Sequence, residues 1–233
     1  MESVGIRAVC LLIGYIFGNF QTAWFIGKAN GIDIREKGSG NAGTTNTLRV
    51  LGKKAGLYVF VGDLAKSITA VVLVYFLFRG KYPELVYLLK LYCGLGVILG
   101  HNFPFWLGFK GGKGIAAMSG MILAFHWLYV PIDLLLFFGT FALTNYVSLS
   151  SLILTAGFFI QTVIMGELGL FMQFHLSSHS MYTAQIPPAV HYEMYVIAGI
   201  IAVMAFVRHR ENIRKLSRGE ERKTYLFKKN KAD

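Results

Sequence analysis

Residues 115–143, IAAMSGMILAFHWLYVPIDLLLFFGTFAL, run for 29 residues without a Lys or Arg. A helix crossing about 30 Å of hydrocarbon needs about 20 residues. The stretch is therefore long for one tilted span. Near its middle stands His126-Trp127-Leu128-Tyr129-Val130-Pro131, which combines interfacial aromatics with a proline. Read as two short spans, the stretch makes the chain a seven-span protein. Read as one, it makes six, and the C-terminal tail changes sides.

The rest of the chain supplies the other spans. Of its 233 residues 55% are hydrophobic and only 15% charged, with a mean hydropathy of +0.52. A soluble domain carries about a quarter charged residues. Apolar runs fall at about 4–26, 55–78, 85–100, 151–171 and 190–207. The expectation is a single all-α integral membrane domain over 1–233. The first run looks like a signal peptide, but Arg7 is balanced by Glu2 and no small-residue cleavage site follows, so it is read as a retained span. Cys10 and Cys93 fall inside apolar runs and are read as small buried hydrophobes.

Charge placement decides between six and seven spans. With seven, segments 28–54, 101–114, 144–150 and 208–233 share one face and carry 6, 2, 0 and 10 Lys/Arg, or 18 of 23. Positive loops mark the cytoplasm, which puts the N-terminus outside and the C-terminus inside. A net charge of +11 would suggest nucleic acid in a soluble chain; here it sets topology, and no nucleic-acid partner is expected.

Three segments on that face carry chemistry. Gly38-Ser39-Gly40-Asn41-Ala42-Gly43-Thr44-Thr45-Asn46-Thr47-Leu48-Arg49 is polar and glycine-rich. Successive backbone N–H groups of such a loop can converge on an anion. Ser39, Asn41, Thr45 and Asn46 add neutral donors and Arg49 adds a bidentate charge. The literal G-x-G-x-x-G is not a dinucleotide fingerprint, because no soluble βαβ unit surrounds it. The second segment, Lys110-Gly111-Gly112-Lys113-Gly114, resembles a phosphate loop but lacks the Ser/Thr of a Walker motif. Its glycines admit phosphate, Lys113 supplies charge, and a helix beginning near Ile115 would aim its positive end at the anion. The third runs from Arg208 to Glu220. At helical spacing His209 and Asn212 share a face with Arg208 beside it. Arg210, Arg214, Lys215 and the terminal lysines suit a basic helix on anionic lipid.

Asp63 and Lys66, three apart in an apolar run, read as a buried pair orienting a neighbouring helix. Ser148 and Ser150 either cap the following helix or contact a ligand at the same face. His175 and His179, four apart in the 173–189 loop, are not a metal site on that spacing alone, and no metal is expected.

GSGNAGTTNTLR, GHNFPFWLGFKGGKG and RHRENIRKLSRGE, in this order and at these intervals, resemble the bacterial acyl-phosphate–glycerol-3-phosphate acyltransferases, the PlsY family. Gly18–Lys28 and Asn145–Ser151 extend the likeness over nearly the whole chain. Thr44, Ser67, Met118 and Asn145 depart from the residues more usual there. The resemblance implies a seven-span protein of the cell membrane that transfers a fatty acyl group from acyl phosphate to glycerol 3-phosphate, giving lysophosphatidate and phosphate, the first step of phospholipid synthesis. It implies important roles for Ser39, Arg49, His209 and Asn212, a glycerol 3-phosphate site at Lys110–Gly114, and a structural role for Glu220.

The chemistry agrees with the likeness. An acyl phosphate is a mixed anhydride with a good leaving group, so no cofactor is demanded. The protein must place a hydroxyl against the acyl carbon and neutralise two phosphates. Ser39 either binds phosphate or stabilises the developing oxyanion. His209 activates the hydroxyl or orients the donor, unless a substrate phosphate takes the proton itself. Membrane lipid is the remaining partner; the reading leaves the oligomeric state open and is compatible with a monomer. A transporter, the rival reading, would show inverted repeats and midplane helix breaks; no internal repeat is evident.

Overall fold

The computed structural model describes residues 2–173 and 186–225, and those residues form helices and connecting turns with no strand. The His175/His179 pair, residues 174–185 of the expected outer loop and Lys228, Lys229 and Lys231 lie outside the described residues.

Helix α1 (Glu2–Gly18) breaks at Asn19-Phe20-Gln21 and continues as α2 (Thr22–Ala29). A short α3 (Thr44–Leu51) follows the first glycine loop, and α4 (Lys53–Phe78) begins two residues later. Then come α5 (Val86–Asn102), α6 (Ile115–Phe125), α7 (Tyr129–Leu134), a π-helical turn at Leu135–Gly139, α8 (Thr140–Thr144), α9 (Val147–Glu167), α10 (Leu170–Gln173), α11 (Pro188–Arg208) and α12 (Arg210–Ser217). Five stretches are long and apolar enough to cross a membrane: Val4–Ala29, Lys53–Phe78, Pro83–Leu107, Val147–Glu167 and Pro188–Arg208. The stretches expected to supply the other two spans form shorter apolar helices, Ile115–Phe125 and Tyr129–Thr144, below that length.

The 115–143 stretch divides at the expected place. His126 is extended, and its Nδ1 and carbonyl accept the N–H groups of Leu128 (3.3 Å) and Tyr129 (3.1 Å). Pro131 sits in the first turn of α7, where a missing N–H costs nothing. The chain reverses there. Gly114, just before α6, adjoins Asn102 at the end of α5, while Phe125 meets Tyr87 at the start of α5 (ring centroids 5.7 Å). Helices α7 and α8 then return the chain, so that the Asn145 carbonyl accepts the N–H of Thr224 at 2.9 Å.

Helix α5 is the centre of the bundle, with Leu88, Leu89, Leu91, Cys93 and Val97 fully buried. Its closest neighbour is α1. Gly14 and Gly18 on one helix and Gly96 and Gly100 on the other all lie against partner backbone, where a Cβ would overlap carbonyls of Cys93, Val97, Leu11 and Tyr15 respectively. Lipid offers no hydrophobic drive between helices, so close backbone approach over small residues supplies the contact instead. Cys10 packs beside this seam, and both cysteines are free and buried. Farther from the loops, Arg7 of α1 makes a two-point ion pair with Glu193 of α11 (both 2.6 Å), and the hydroxyl of Tyr92 on α5 donates to the same carboxylate at 2.7 Å.

Candidate functional site

The glycine loops meet at the end of the bundle where α5 stops. In the first, Gly38 turns with φ +61°, and the space its side chain would fill holds the Asn46 amide. Asn46 is buried. Its Oδ1 accepts from the Ser39 N–H (2.8 Å), and its Nδ2 donates to the carbonyls of Ile34 and Lys37 (both 3.0 Å). Asn46, expected to face substrate, is thus engaged in shaping the loop that presents Ser39. Ser39 and Gly40 are exposed, while Asn41 and Thr45 are half-buried at the entry to α3.

The second loop hangs from α5. The N–H groups of Gly111 and Gly112 donate to the Asn102 and His101 carbonyls (3.2 and 3.1 Å). The carbonyls of Gly111 and Gly112 accept from Arg208 Nη2 (3.2 and 2.7 Å). Those two residues are therefore scaffold, and the donors left to face an anion lie at the start of α6, whose first-turn N–H groups have no helical partner. As expected, α6 begins at Ile115. The two loops touch: a methyl on Gly112 would lie 2.7 Å from the Ala42 carbonyl. Arg35 also spans them, donating to the Leu107 carbonyl at 3.3 Å. Lys110 is exposed.

The third segment closes over both. Lys113 Nζ donates to Asn212 Oδ1. Asn212 Nδ2 donates to Glu221 Oε1 at 2.7 Å, and Ser148 Oγ donates to the same oxygen at 2.7 Å. Arg49 reaches the tail through the Thr224 hydroxyl (3.2 Å) and the Arg222 carbonyl (3.5 Å). His209 is buried between α11 and α12, and its Nδ1–H donates to the Ala205 carbonyl at 2.8 Å, which leaves Nε2 as an acceptor.

Two pKa shifts bear on chemistry. Burial pushes His209 down to about 4, with Lys113 and Arg208 adding to the fall and the Ala205 hydrogen bond opposing it. Burial likewise pushes Lys113 down to about 8; Arg208 and Lys215 lower it further, and Glu221 opposes them.

Lys113, Asn212 and Ser148 thus join one network through Glu221, and His209 packs beside it. Arg49 binds the tail just beyond Glu221, at Arg222 and Thr224, without a hydrogen bond to that network, and Ser39, Gly40 and Lys110 stand outside it. Two side chains sit differently from the reading of the sequence. Glu220 is exposed, and its backbone N–H merely closes α12 onto the Lys215 carbonyl at 2.8 Å; the bonded carboxylate is its neighbour Glu221. Ser148 does not cap α9, since Tyr146 holds that position without a side-chain bond; it binds Glu221. Sequence reasoning missed Glu221 and the grip of Arg208 on the second loop. Adjacent glutamates offer no pattern that separates them, and Arg208 resembled the other basic residues of its helix.

The family model for glycerol-3-phosphate acyltransferase matches residues 8–219. Curated glycerol-3-phosphate acyltransferases are similar over nearly their whole length. One from Chlorobaculum tepidum is 34% identical over 94% of this chain and 97% of its own. One from Enterococcus faecalis is 36% identical over 91% and 89%. Among solved structures, PlsY (YgiH), an integral membrane glycerol 3-phosphate acyltransferase, superposes in its glycerol 3-phosphate form with a TM-score of 0.76. It is 29% identical, over 95% of this chain and 99% of that one. Its lysophosphatidic acid form gives 0.73.

Proposed function

The chain belongs to the glycerol-3-phosphate acyltransferase family, and on that premise we propose that it transfers a fatty acyl group from acyl phosphate to the sn-1 hydroxyl of glycerol 3-phosphate. The products are lysophosphatidate and inorganic phosphate. One observation supports this most: two glycine loops, each leading into a helix N-terminus, meet at Gly112 and Ala42, with Arg208 bound to the second loop and Arg49 near enough to act on the charge of Lys113. That is provision for two phosphates side by side.

In the reaction the sn-1 oxygen attacks the acyl carbonyl carbon. The new ester C–O bond forms, the acyl carbon–oxygen bond to phosphate breaks, and phosphate leaves with that electron pair. Lys113 and the first turn of α6 hold the phosphate of glycerol 3-phosphate. Ser39 and Arg49 hold the phosphate of the donor. Gly40, Asn41 and Thr45 line its approach. Asn212, fixed by Glu221, keeps Lys113 in place. His209 orients rather than abstracts: a base near 4 is a poor proton acceptor at neutral pH. The hydroxyl proton goes to a substrate phosphate, whose second pKa is about 6.

The membrane placement belongs to the same proposal. Seven apolar helices run through one domain of the cell membrane, with the N-terminus outside and segments 28–54, 101–114, 144–150 and 208–233 cytoplasmic. The helical hairpin at residues 115–144 supports it, because it returns the chain to the loop end before α9.

The test is purified protein given acyl phosphate and labelled glycerol 3-phosphate. Label should appear in lysophosphatidate. Equal rates with acyl-CoA would overturn the donor, and label that only crosses a vesicle membrane would make the protein a carrier.

A pH profile tests Lys113 separately. Its charge is present below about 8 and lost above. The KM for glycerol 3-phosphate should therefore rise about tenfold between pH 7 and 9.5. In Lys113→Arg that alkaline rise should disappear, because a guanidinium stays charged. An identical rise in both proteins would remove Lys113 from the phosphate site.

A further inference from the structure

Beneath the seam of the two glycine loops lies a buried polar cluster that the reaction above does not use. Lys66 Nζ of α4 lies 2.8 Å from Asp63 Oδ1, 2.6 Å from the Phe20 carbonyl, 3.4 Å from the Gly18 carbonyl and 3.0 Å from His101 Nδ1. Thr22 Oγ1 donates to Asp63 Oδ1 at 3.1 Å. Asp63, Lys66 and His101 are 1, 7 and 3% exposed. The pair does orient a neighbouring helix, since Lys66 holds carbonyls where α1 breaks. It also does something more specific.

An ammonium only donates. His101 Nδ1, 3.0 Å from it, accepts, and Asp63 Oδ1, 3.6 Å from the same nitrogen, lies beyond hydrogen-bond reach, so the imidazole carries its proton on Nε2. That Nε2–H points at Gly112, where a side-chain carbon would overlap it, and among the described residues no acceptor takes it up. The backbone of His101 is fixed as well. Its carbonyl accepts from the Gly112 N–H (3.1 Å) and from Gln21 Nε2 (3.1 Å). A donor of fixed tautomer is thus seated under the loop, across Gly112 from the Ala42 carbonyl.

We propose that Asp63, Lys66 and His101 are positioning residues of the glycerol 3-phosphate site: Lys66, anchored by Asp63, sets the His101 tautomer, and the resulting Nε2–H faces the bound phosphate across Gly112. The ring sets the height of the loop above α5 and adds a fixed dipole under the anion. A preorganised donor in a site closed to water contributes more than one in solvent.

This rests on the acyl-transfer reading, and the test separates the two. A Gln amide nitrogen can stand where Nε2 stands, whereas the Asn nitrogen reaches only the Nδ1 position. In purified full-length protein, His101→Gln should keep the KM for glycerol 3-phosphate within about threefold of wild type. His101→Asn and Asp63→Asn should raise it about tenfold or more, with kcat and the KM for acyl phosphate nearly unchanged. Calorimetric titration with glycerol 3-phosphate alone should show the same ranking in Kd. Because no donor is present there, a wild-type protein inactive on acyl phosphate would sink the donor assignment and leave this proposal to stand on the titration. If Gln and Asn at position 101 are indistinguishable, folded or not, or if losses track melting temperature alone, the cluster is merely structural and the proposal is overturned.

Discussion

Gly112→Ala is expected to lower kcat/KM by about a hundredfold or more while leaving the helical bundle folded. The added methyl has nowhere to go. It would overlap His101 Nε2 and sit 2.7 Å from the Ala42 carbonyl. The first obstacle is a ring bound to Lys66 and the second is backbone, so neither is the yielding end of a flexible side chain. Relief requires the two loops to part, which would withdraw Lys113 and Ser39 from the phosphates assigned to them in the proposed reaction. A displacement of about 1 Å at a reacting centre costs on the order of a hundredfold. Because both loops move, kcat should fall as well as KM rise. Gly199→Ala is the control: its methyl would meet only the Phe159 ring, at 3.6 Å. Its kinetics and melting temperature should match wild type. Near-normal turnover by Gly112→Ala would mean that the loops do not act as one site.

Much of the architecture could be read from the chain because it rests on local, one-dimensional signals. Spans announce themselves by length and apolarity, and the 115–143 stretch by its aromatics and Pro131. The convergence of three segments at one end followed from the positions of Lys and Arg. What could not be read depends on partners distant in sequence. Residues 115–125 and 129–144 are apolar, yet the helices they form are shorter than the five stretches of spanning length. The spacing of Gly14/Gly18 and Gly96/Gly100 is visible, but that the two pairs face each other is a tertiary fact. The same holds within the site. Asn46 looked like a ligand donor, and only the fold shows its amide spent on Ile34, Lys37 and Ser39. Asp63 and Lys66 were legible as a pair, whereas the third member, His101, lies 35 residues beyond Lys66.

The tail tests that difference most sharply, since two adjacent carboxylates should behave oppositely. Glu220→Ala should stay within about twofold of wild type, for Glu220 is exposed and contributes only its backbone N–H. Glu221→Ala should lose about a hundredfold in kcat/KM. One oxygen of Glu221 accepts from Ser148 on α9 and from Asn212 on α12, and Asn212 in turn holds Lys113 of the second loop. Hydrogen bonds to a charged group contribute about 1.5–3 kcal/mol each. Discounting the pair for the partial exposure of Glu221 leaves about 3 kcal/mol, or roughly two decades in rate. Glu221→Gln keeps the accepting oxygen and loses the charge, so it should fall between the two. The charge has a separate readout. Glu221 is the group that holds the Lys113 pKa up against burial. Without it the ammonium is lost at lower pH, and the alkaline rise in the KM for glycerol 3-phosphate should begin earlier in Glu221→Ala and in Glu221→Gln alike. Kinetics at pH 6.5 to 9 on the three variants would decide. An unmoved pH limb with a large loss in Glu221→Ala would make the carboxylate a packing element and detach it from Lys113. A large loss in Glu220→Ala would return the structural role to the residue that sequence reasoning first assigned.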